Sequence, residues 1–175
     1  TLTKEEVKIF DSYGKNVCRD IQVLNTDPVT LSKGKYKHFM EKEIFEQPEV
    51  ISQVLGFYLN ASKETLTLPP LPKSSQIKRI ILIGCGTAFY ACLVARYWFE
   101  SLSGVPTHAE LASEFRYRSP VISTDDLLVF VSQSGETADT IGALRFAKEH
   151  TKNILAIVNV EQSSIAREST WVFPT

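Results

Sequence analysis

Hydrophobic and polar positions along this chain fall into two regimes. From residue 79 onward, short apolar runs alternate with longer stretches of helical spacing. Arg79-Ile80-Ile81-Leu82-Ile83-Gly84, residues 127–132 and residues 153–159 are continuous apolar runs rich in β-branched side chains, and they read as strands buried on both faces. Residues 108–111 and 171–173 read as further short strands. Between them, residues 88–102 form a long helical pattern with Phe89, Leu93, Val94, Tyr97 and Trp98 on its packed faces, and residues 137–149 carry Ile141, Leu144, Arg145 and Lys148 at helical spacing. Residues 112–118 have both helical and loop character. Ser163-Ser164 opens a short helix over 163–168 with serine as its cap. Strand–helix alternation of this kind predicts an α/β fold with a mainly parallel sheet, covered on both faces and joined by right-handed crossovers.

Before residue 79 the pattern is looser. Alternation on both sides of Asp11-Ser12-Tyr13-Gly14 predicts a β-hairpin over 1–25. Residues 26–37 are a polar linker with Pro28 and Gly34. Met40, Ile44, Ile51, Val54 or Leu55, and Tyr58 form a helical stripe. Pro48 suits the first position of a helix rather than its interior, so two helices with a break at Gln47-Pro48 are expected. His38 lies beside that stripe and reads as a partly buried structural histidine. Residues 60–78, with Pro69, Pro70 and Pro72, read as a loop.

Composition narrows the function classes. The 175 residues are 43% apolar and 22% charged, ordinary for a globular chain. A formal net charge of −1 gives no basis for binding nucleic acid or an acidic membrane. No apolar run approaches the roughly 18–20 residues of a membrane span. Cys18, Cys85 and Cys92 show no metal-ligand spacing, which points to a reducing, cytoplasmic setting, with no metal or cofactor expected.

The candidate chemistry lies at two strand ends. Ser132-Gln133-Ser134-Gly135-Glu136-Thr137 joins a buried strand to a helix. The first N–H groups of a helix lack internal partners and carry partial positive charge, so this turn can hold a phosphate with neutral dipoles and hydroxyls. Serine-rich turns also serve simply as N-caps, and Glu136 would repel an anion if it faced one. Gly84-Cys85-Gly86-Thr87 is a second polar turn at a strand end. Ligands of open parallel sheets bind at such ends. A dinucleotide fingerprint fails because Phe89 stands where a small residue is needed. No GxxxxGK[ST] or GxSxG is present. Cys85 has no histidine near it in sequence and reads as a small buried residue rather than a nucleophile.

Several stretches carry a resemblance. They are Cys85-Gly86-Thr87, Tyr97-Trp98-Phe99-Glu100, Glu110-Leu111-Ala112-Ser113-Glu114-Phe115-Arg116-Tyr117-Arg118, Ser132-Gln133-Ser134-Gly135-Glu136-Thr137-Ala138-Asp139-Thr140 and Ser163-Ser164-Ile165-Ala166-Arg167-Glu168-Ser169. Together they resemble the first sugar-isomerase (SIS) domain of the glutamine–fructose-6-phosphate aminotransferases. Tyr36-Lys37-His38-Phe39-Met40 and Glu46-Gln47-Pro48 are similar to that family's lead-in helices, and residues 1–25 to the end of its glutaminase domain.

The resemblance implies a three-layer αβα SIS domain over 79–175, with 26–78 as linker and lead-in helices and 1–25 as the hairpin. It implies that Ser132, Gln133, Ser134 and Thr137 hold the phosphate of fructose 6-phosphate or glucosamine 6-phosphate, and that Thr87 contacts the sugar. The family usually has serine after Cys-Gly-Thr, where this chain has Ala88. The family makes glucosamine 6-phosphate and glutamate from fructose 6-phosphate and glutamine. Its glutaminase half, which handles glutamine, and its second SIS domain have no counterpart here. His38, His108 and His150 do not match the family's catalytic histidine. The expectation is therefore a sugar-phosphate-binding fragment with no catalytic residue of its own, and a homodimer by analogy with the family. Two alternatives stay open: a stand-alone SIS phosphosugar-binding regulator or phosphosugar isomerase, and a structural domain with a vestigial site.

Overall fold

The structure is a computed structural model that describes residues 1–20, 32–60, 64–69, 71 and 76–175. Expectations for the hairpin arm beyond residue 20, for positions 26–31 of the polar linker, and for Pro70, Pro72, Ser74 and Ser75 lie outside those residues. The chain forms two compact units, Thr1–Pro48 and Glu49–Thr175.

The first unit contains a small antiparallel pair, β1 (Ile9–Phe10) and β2 (Asn16–Val17), in register Ile9–Val17 and Phe10–Asn16. Asp11 Oδ1 accepts the N–H groups of Tyr13 and Lys15, both at 2.9 Å, and fixes the turn. Helix α1 (Phe39–Tyr58) corrects two expectations. It is one helix with Pro48 inside it, not two helices. Proline withholds only the N–H that would reach the Ile44 carbonyl, and Ile44 is exposed, so water can take that oxygen. The apolar stripe is also largely open: Met40, Ile44, Ile51 and Leu55 are all exposed, as is His38.

The second unit holds a five-stranded sheet in which every pairing is parallel. Its strands are β5 (Arg79–Gly84), β6 (Thr107–Leu111), β7 (Asp126–Ser132), β8 (Ile154–Val158) and β9 (Trp171–Pro174), after a short antiparallel pair β3 (Leu59–Asn60) and β4 (Thr65–Leu66) that the loop reading missed. The order across the sheet is β6-β5-β7-β8-β9. The apolar runs supply both faces, as their lack of alternation required. Ile81, Ile83, Leu128, Phe130, Ala156 and Val158 face α3 (Ala112–Phe115), α4 (Ala138–Lys148) and α5 (Ser164–Glu168). Ile80, Leu82, Val129 and Leu155 face the other way, toward α2 (Thr87–Ser103). The three-layer αβα architecture follows from that division.

Of the five bulky residues expected on the packed faces of α2, Phe89 and Leu93 are half-buried, while Val94, Tyr97 and Trp98 are exposed; Cys92, Ala95 and Phe99 pack on the sheet. Small residues let the helix axis approach the sheet closely, so the large aromatics are left outside. Among the described residues no helix is long and apolar enough to cross a membrane.

The order of the strands decides where a ligand can sit. From β5 the chain moves outward to β6, then returns across β5 to β7 and continues to β8 and β9. The connections from β5 and from β7 therefore leave in opposite directions and open a crevice between the carboxyl ends of these two strands. Both polar turns singled out in the sequence lie there. At the opposite end of the same strands, Asp126 is buried and accepts from Arg79 Nε at 3.0 Å and from the Ser123 N–H at 2.7 Å. This pairing ties β5 to β7 at the end remote from the crevice.

Candidate anion site at the β5–β7 crevice

Two helix starts converge on the crevice. Gly86 is the N-cap of α2 and Thr137 that of α4, and neither helix has a side-chain cap. No capping side chain therefore accepts from their first-turn N–H groups; in α2 the Phe89 N–H donates to the Gly86 carbonyl at 3.2 Å. At α4 the first intrahelical bond is Ile141 N–H to Thr137 O, at 2.9 Å. Gly84 permits the close approach on the α2 side: a Cβ there would lie 2.9 Å from the backbone of Ala88 and of Phe89.

The connection from β7 to α4 is wound tightly by its own serines. Ser132 is buried, and its Oγ accepts the Gly135 N–H at 3.0 Å and lies 3.5 Å from Thr137 Oγ1. Ser134 Oγ accepts the Glu136 N–H at 3.2 Å. The Gln133 carbonyl accepts from the Asn159 N–H at 3.2 Å, which anchors the turn to the end of β8. Both serine hydroxyls accept a backbone N–H here; the Ser134 proton remains to be donated, while Ser132 and Thr137 share a contact in which either oxygen can be the donor.

Gly135 is required twice over. Its φ is +64°, a region costly for residues with a Cβ, and a Cβ there would lie 2.0 Å from Ser163 Oγ. Ser163 caps α5 through an accepted Ala166 N–H, and the Ile165 N–H donates to Gly135 O at 3.1 Å. The start of α5 thus clamps the back of the turn.

Glu136 does not point at the crevice wall. Its Oε1 accepts the Ser164 N–H at 2.6 Å, and that hydrogen bond, with a smaller contribution from Arg167, holds its carboxyl below the usual glutamate range. The charge that the sequence reading set against an anion is engaged on α5 instead.

Between the two turns is a cavity of about 190 Å³, lined by Cys85, Thr87, Ala88, Val131, Ser132, Gln133, Ser134, Thr137 and Thr140. All five residues proposed from the sequence, Thr87, Ser132, Gln133, Ser134 and Thr137, meet on it. Thr87, Gln133 and Ser134 are exposed, Thr137 is half-buried and Ser132 is buried. No charged side chain contributes to this lining among the described residues. Hydroxyls and two helix starts therefore set its electrostatics, an arrangement that favours a small anion.

None of His38, His108 and His150 lines the cavity; all three are exposed, and His150 Nδ1 lies 3.0 Å from the Phe146 carbonyl. The crevice thus offers binding groups but no imidazole. Sequence reasoning missed Thr140. Its signal was a lone hydroxyl three residues after Thr137, on the face of α4 that otherwise buries Ala143, Leu144 and Ala147.

Comparison with known proteins accords with this geometry. Residues 74–175 match the family described as "SIS domain". The chain is 49% identical over 175 residues to a glutamine–fructose-6-phosphate aminotransferase (isomerizing) of Bartonella quintana (strain Toulouse), covering 99% of this chain and 29% of that protein. It is 46% identical over 175 residues to the protein of the same name from Zymomonas mobilis, with the same coverage. Among solved structures, the C-terminal domain of glucosamine-fructose-6-phosphate aminotransferase from Francisella tularensis superimposes with a TM-score of 0.73 at 42% identity. That match covers 82% of this chain and 41% of the other. The chain therefore spans less than a third of the length of the curated relatives.

Proposed function

This chain belongs to the SIS domain family, and from that premise we propose that it is the sugar-phosphate-binding part of a glutamine–fructose-6-phosphate aminotransferase. The observation that carries the reading is the convergence of two helix starts without side-chain caps and a set of hydroxyls on one uncharged cavity at the β5–β7 crevice. Ser132, Gln133, Ser134 and Thr137 hold the phosphate of fructose 6-phosphate or glucosamine 6-phosphate, and Thr87 meets the sugar. The extent of the similarity supports the aminotransferase over a stand-alone regulator: it runs through residues 1–73, outside the SIS match, as well as through the sheet.

The role of the site is positioning. A phosphate fixed at the α4 start sets the distance and direction of the sugar carbonyl. Groups that move protons on that carbonyl, and the glutamine-handling step, belong to the remainder of such an enzyme. The residues of this chain bind and orient; they do not catalyse. A homodimer and a cytoplasmic setting are part of the same proposal. The dimer finds support in the exposed apolar stripe Tyr90, Val94, Tyr97, Trp98 and Leu102 along one face of α2.

Calorimetric titration with fructose 6-phosphate, glucosamine 6-phosphate and NADH tests the reading. Saturable binding of the two sugar phosphates, no binding of NADH, and loss of the sugar-phosphate signal in Ser134→Ala/Thr137→Ala are expected. Undiminished binding by that double variant would remove the phosphate from this turn.

A further inference from the structure

One group at the crevice is left over. Thr140 lies in the first turn of α4 and is fully buried, yet its Oγ1 has no hydrogen-bond partner. A threonine inside a helix usually donates back to a carbonyl three or four residues earlier. Here those carbonyls belong to Thr137 and Glu136, and the Thr140 hydroxyl bonds to neither. Buried hydroxyls without partners are uncommon because burial removes their hydration without replacement. This residue also borders the 190 Å³ cavity, beside Ser132 and Thr137. An unsatisfied donor on the wall of an uncharged site that also carries the hydroxyls of Thr87, Ser132, Ser134 and Thr137 has an evident partner in an anionic ligand.

We propose that Thr140 is a further ligand-binding residue of this cavity, its hydroxyl donating to an oxygen of the bound phosphate at the floor of the site. The proposal rests on the phosphosugar reading and deepens it. Along the cavity Ser134 and Thr87 are exposed, while Ser132 and Thr140 are buried. Thr140 belongs to the first turn of α4, the same uncapped helix start whose N–H groups favour an anion. With no protein partner the same hydroxyl is a cost to the fold, which ligand binding relieves.

This gives Thr140→Val, which keeps the shape and removes the hydroxyl, two effects of opposite sign. Its melting temperature without ligand is expected to equal or exceed that of the unaltered chain, while its Kd for inorganic phosphate and for fructose 6-phosphate rises roughly tenfold. Thr140→Ser retains the donor and should restore most of the affinity. Calorimetry and thermal melting of the 175-residue chain and the two variants read both effects. If the unaltered chain binds and Thr140→Val binds equally well, the inference falls and the phosphosugar reading stands. A lower melting temperature in Thr140→Val, or failure of Thr140→Ser to recover binding, assigns the hydroxyl to the fold and also overturns the inference. No binding by the unaltered chain sinks both.

Discussion

The Glu136 Oε1 carboxylate oxygen accepts the backbone N–H of Ser164 at 2.6 Å, so the one acidic side chain of the Ser132–Thr137 turn is spent on the neighbouring helix start. Two results follow from that single bond. The crevice wall keeps its uncharged character, and the turn gains a second attachment to α5 beside the Ile165 N–H to Gly135 O contact.

The bond has a pH signature. Its donor holds the folded-state pKa of Glu136 below the ordinary glutamate range. A depressed carboxyl contributes stability that is fully present above its unfolded value, about 4.3, and is lost as the pH falls through the lower folded value. Glu136→Gln should therefore melt below the unaltered chain near pH 7. The gap should narrow as the pH falls through the depressed folded value, below which both chains carry a neutral side chain. Thermal melts across that range check it, and a gap independent of pH would mean that the charge of Glu136 is not what the turn uses.

A second prediction concerns Gly135. Alanine there meets two obstacles: the φ of +64° and the Ser163 side chain, whose Oγ and Cβ would lie 2.0 and 2.3 Å from the new methyl group. The backbone part alone costs roughly 1–2 kcal/mol, and overpacking commonly adds about 1–3 kcal/mol. Gly135→Ala should thus lower stability by about 2–5 kcal/mol in denaturant titration. Adding Ser163→Ala should recover little, because its Cβ remains. Adding Ser163→Gly should recover the steric part only, since the unfavourable φ persists and the α5 cap is lost. Full recovery by either second change would show that the backbone angle carries no cost here.

A third prediction separates the two ends of the sheet. Asp126 is buried with Arg79 and the Ser123 N–H at the end of β5 and β7 away from the crevice. Asp126→Asn keeps the shape but gives up charge-assisted hydrogen bonds, each worth roughly 1.5–3 kcal/mol. Arg79 is partly exposed, so water compensates some of the loss. Stability should fall by about 1.5–3 kcal/mol with the Kd for sugar phosphate unchanged at temperatures where the variant is folded. A changed Kd would mean that the ion pair reaches the site through the strands.

Much of this was legible in the residues for physical reasons. Ile80-Ile81-Leu82-Ile83 and Leu128-Val129-Phe130 have no polar member to place in water, so only a strand covered on both faces suits them. Ser132, Ser134 and Thr137 sit where a strand ends and a helix begins, a position whose free N–H groups favour an anion. Other features depended on distances that spacing does not contain. The inward face of α2 is chosen by how closely Cys92 and Ala95 let it approach the sheet, and a hydrophobicity pattern favours Val94, Tyr97 and Trp98 instead. Pro48 reads as a break because its missing N–H is local, whereas the continuity of α1 depends on the turns on either side of it. The direction of Glu136 is set by Ser164, 28 residues away in sequence. Thr140 was overlooked because a threonine in a helix is unremarkable until its hydroxyl is found without a partner.

The departure at Ala88 gives the last prediction. Ala88 lines the cavity from the first turn of α2, opposite the hydroxyls of the β7–α4 turn, and is only half-buried. Its methyl group offers the ligand no hydrogen bond, while Thr87, Ser132, Ser134 and Thr137 on the same wall carry hydroxyls. Serine adds one oxygen at a position where the helix start already favours negative charge. A hydrogen bond to a charged group contributes roughly 1.5–3 kcal/mol, of which ordering the new side chain and displacing water consume part. Ala88→Ser should therefore tighten sugar-phosphate binding by about three- to tenfold with little change in melting temperature, because the added hydroxyl faces the cavity rather than the core. Calorimetric titration of the two chains side by side measures it. An unchanged Kd would mean that the bound phosphate lies wholly on the α4 side and that α2 contributes only its backbone.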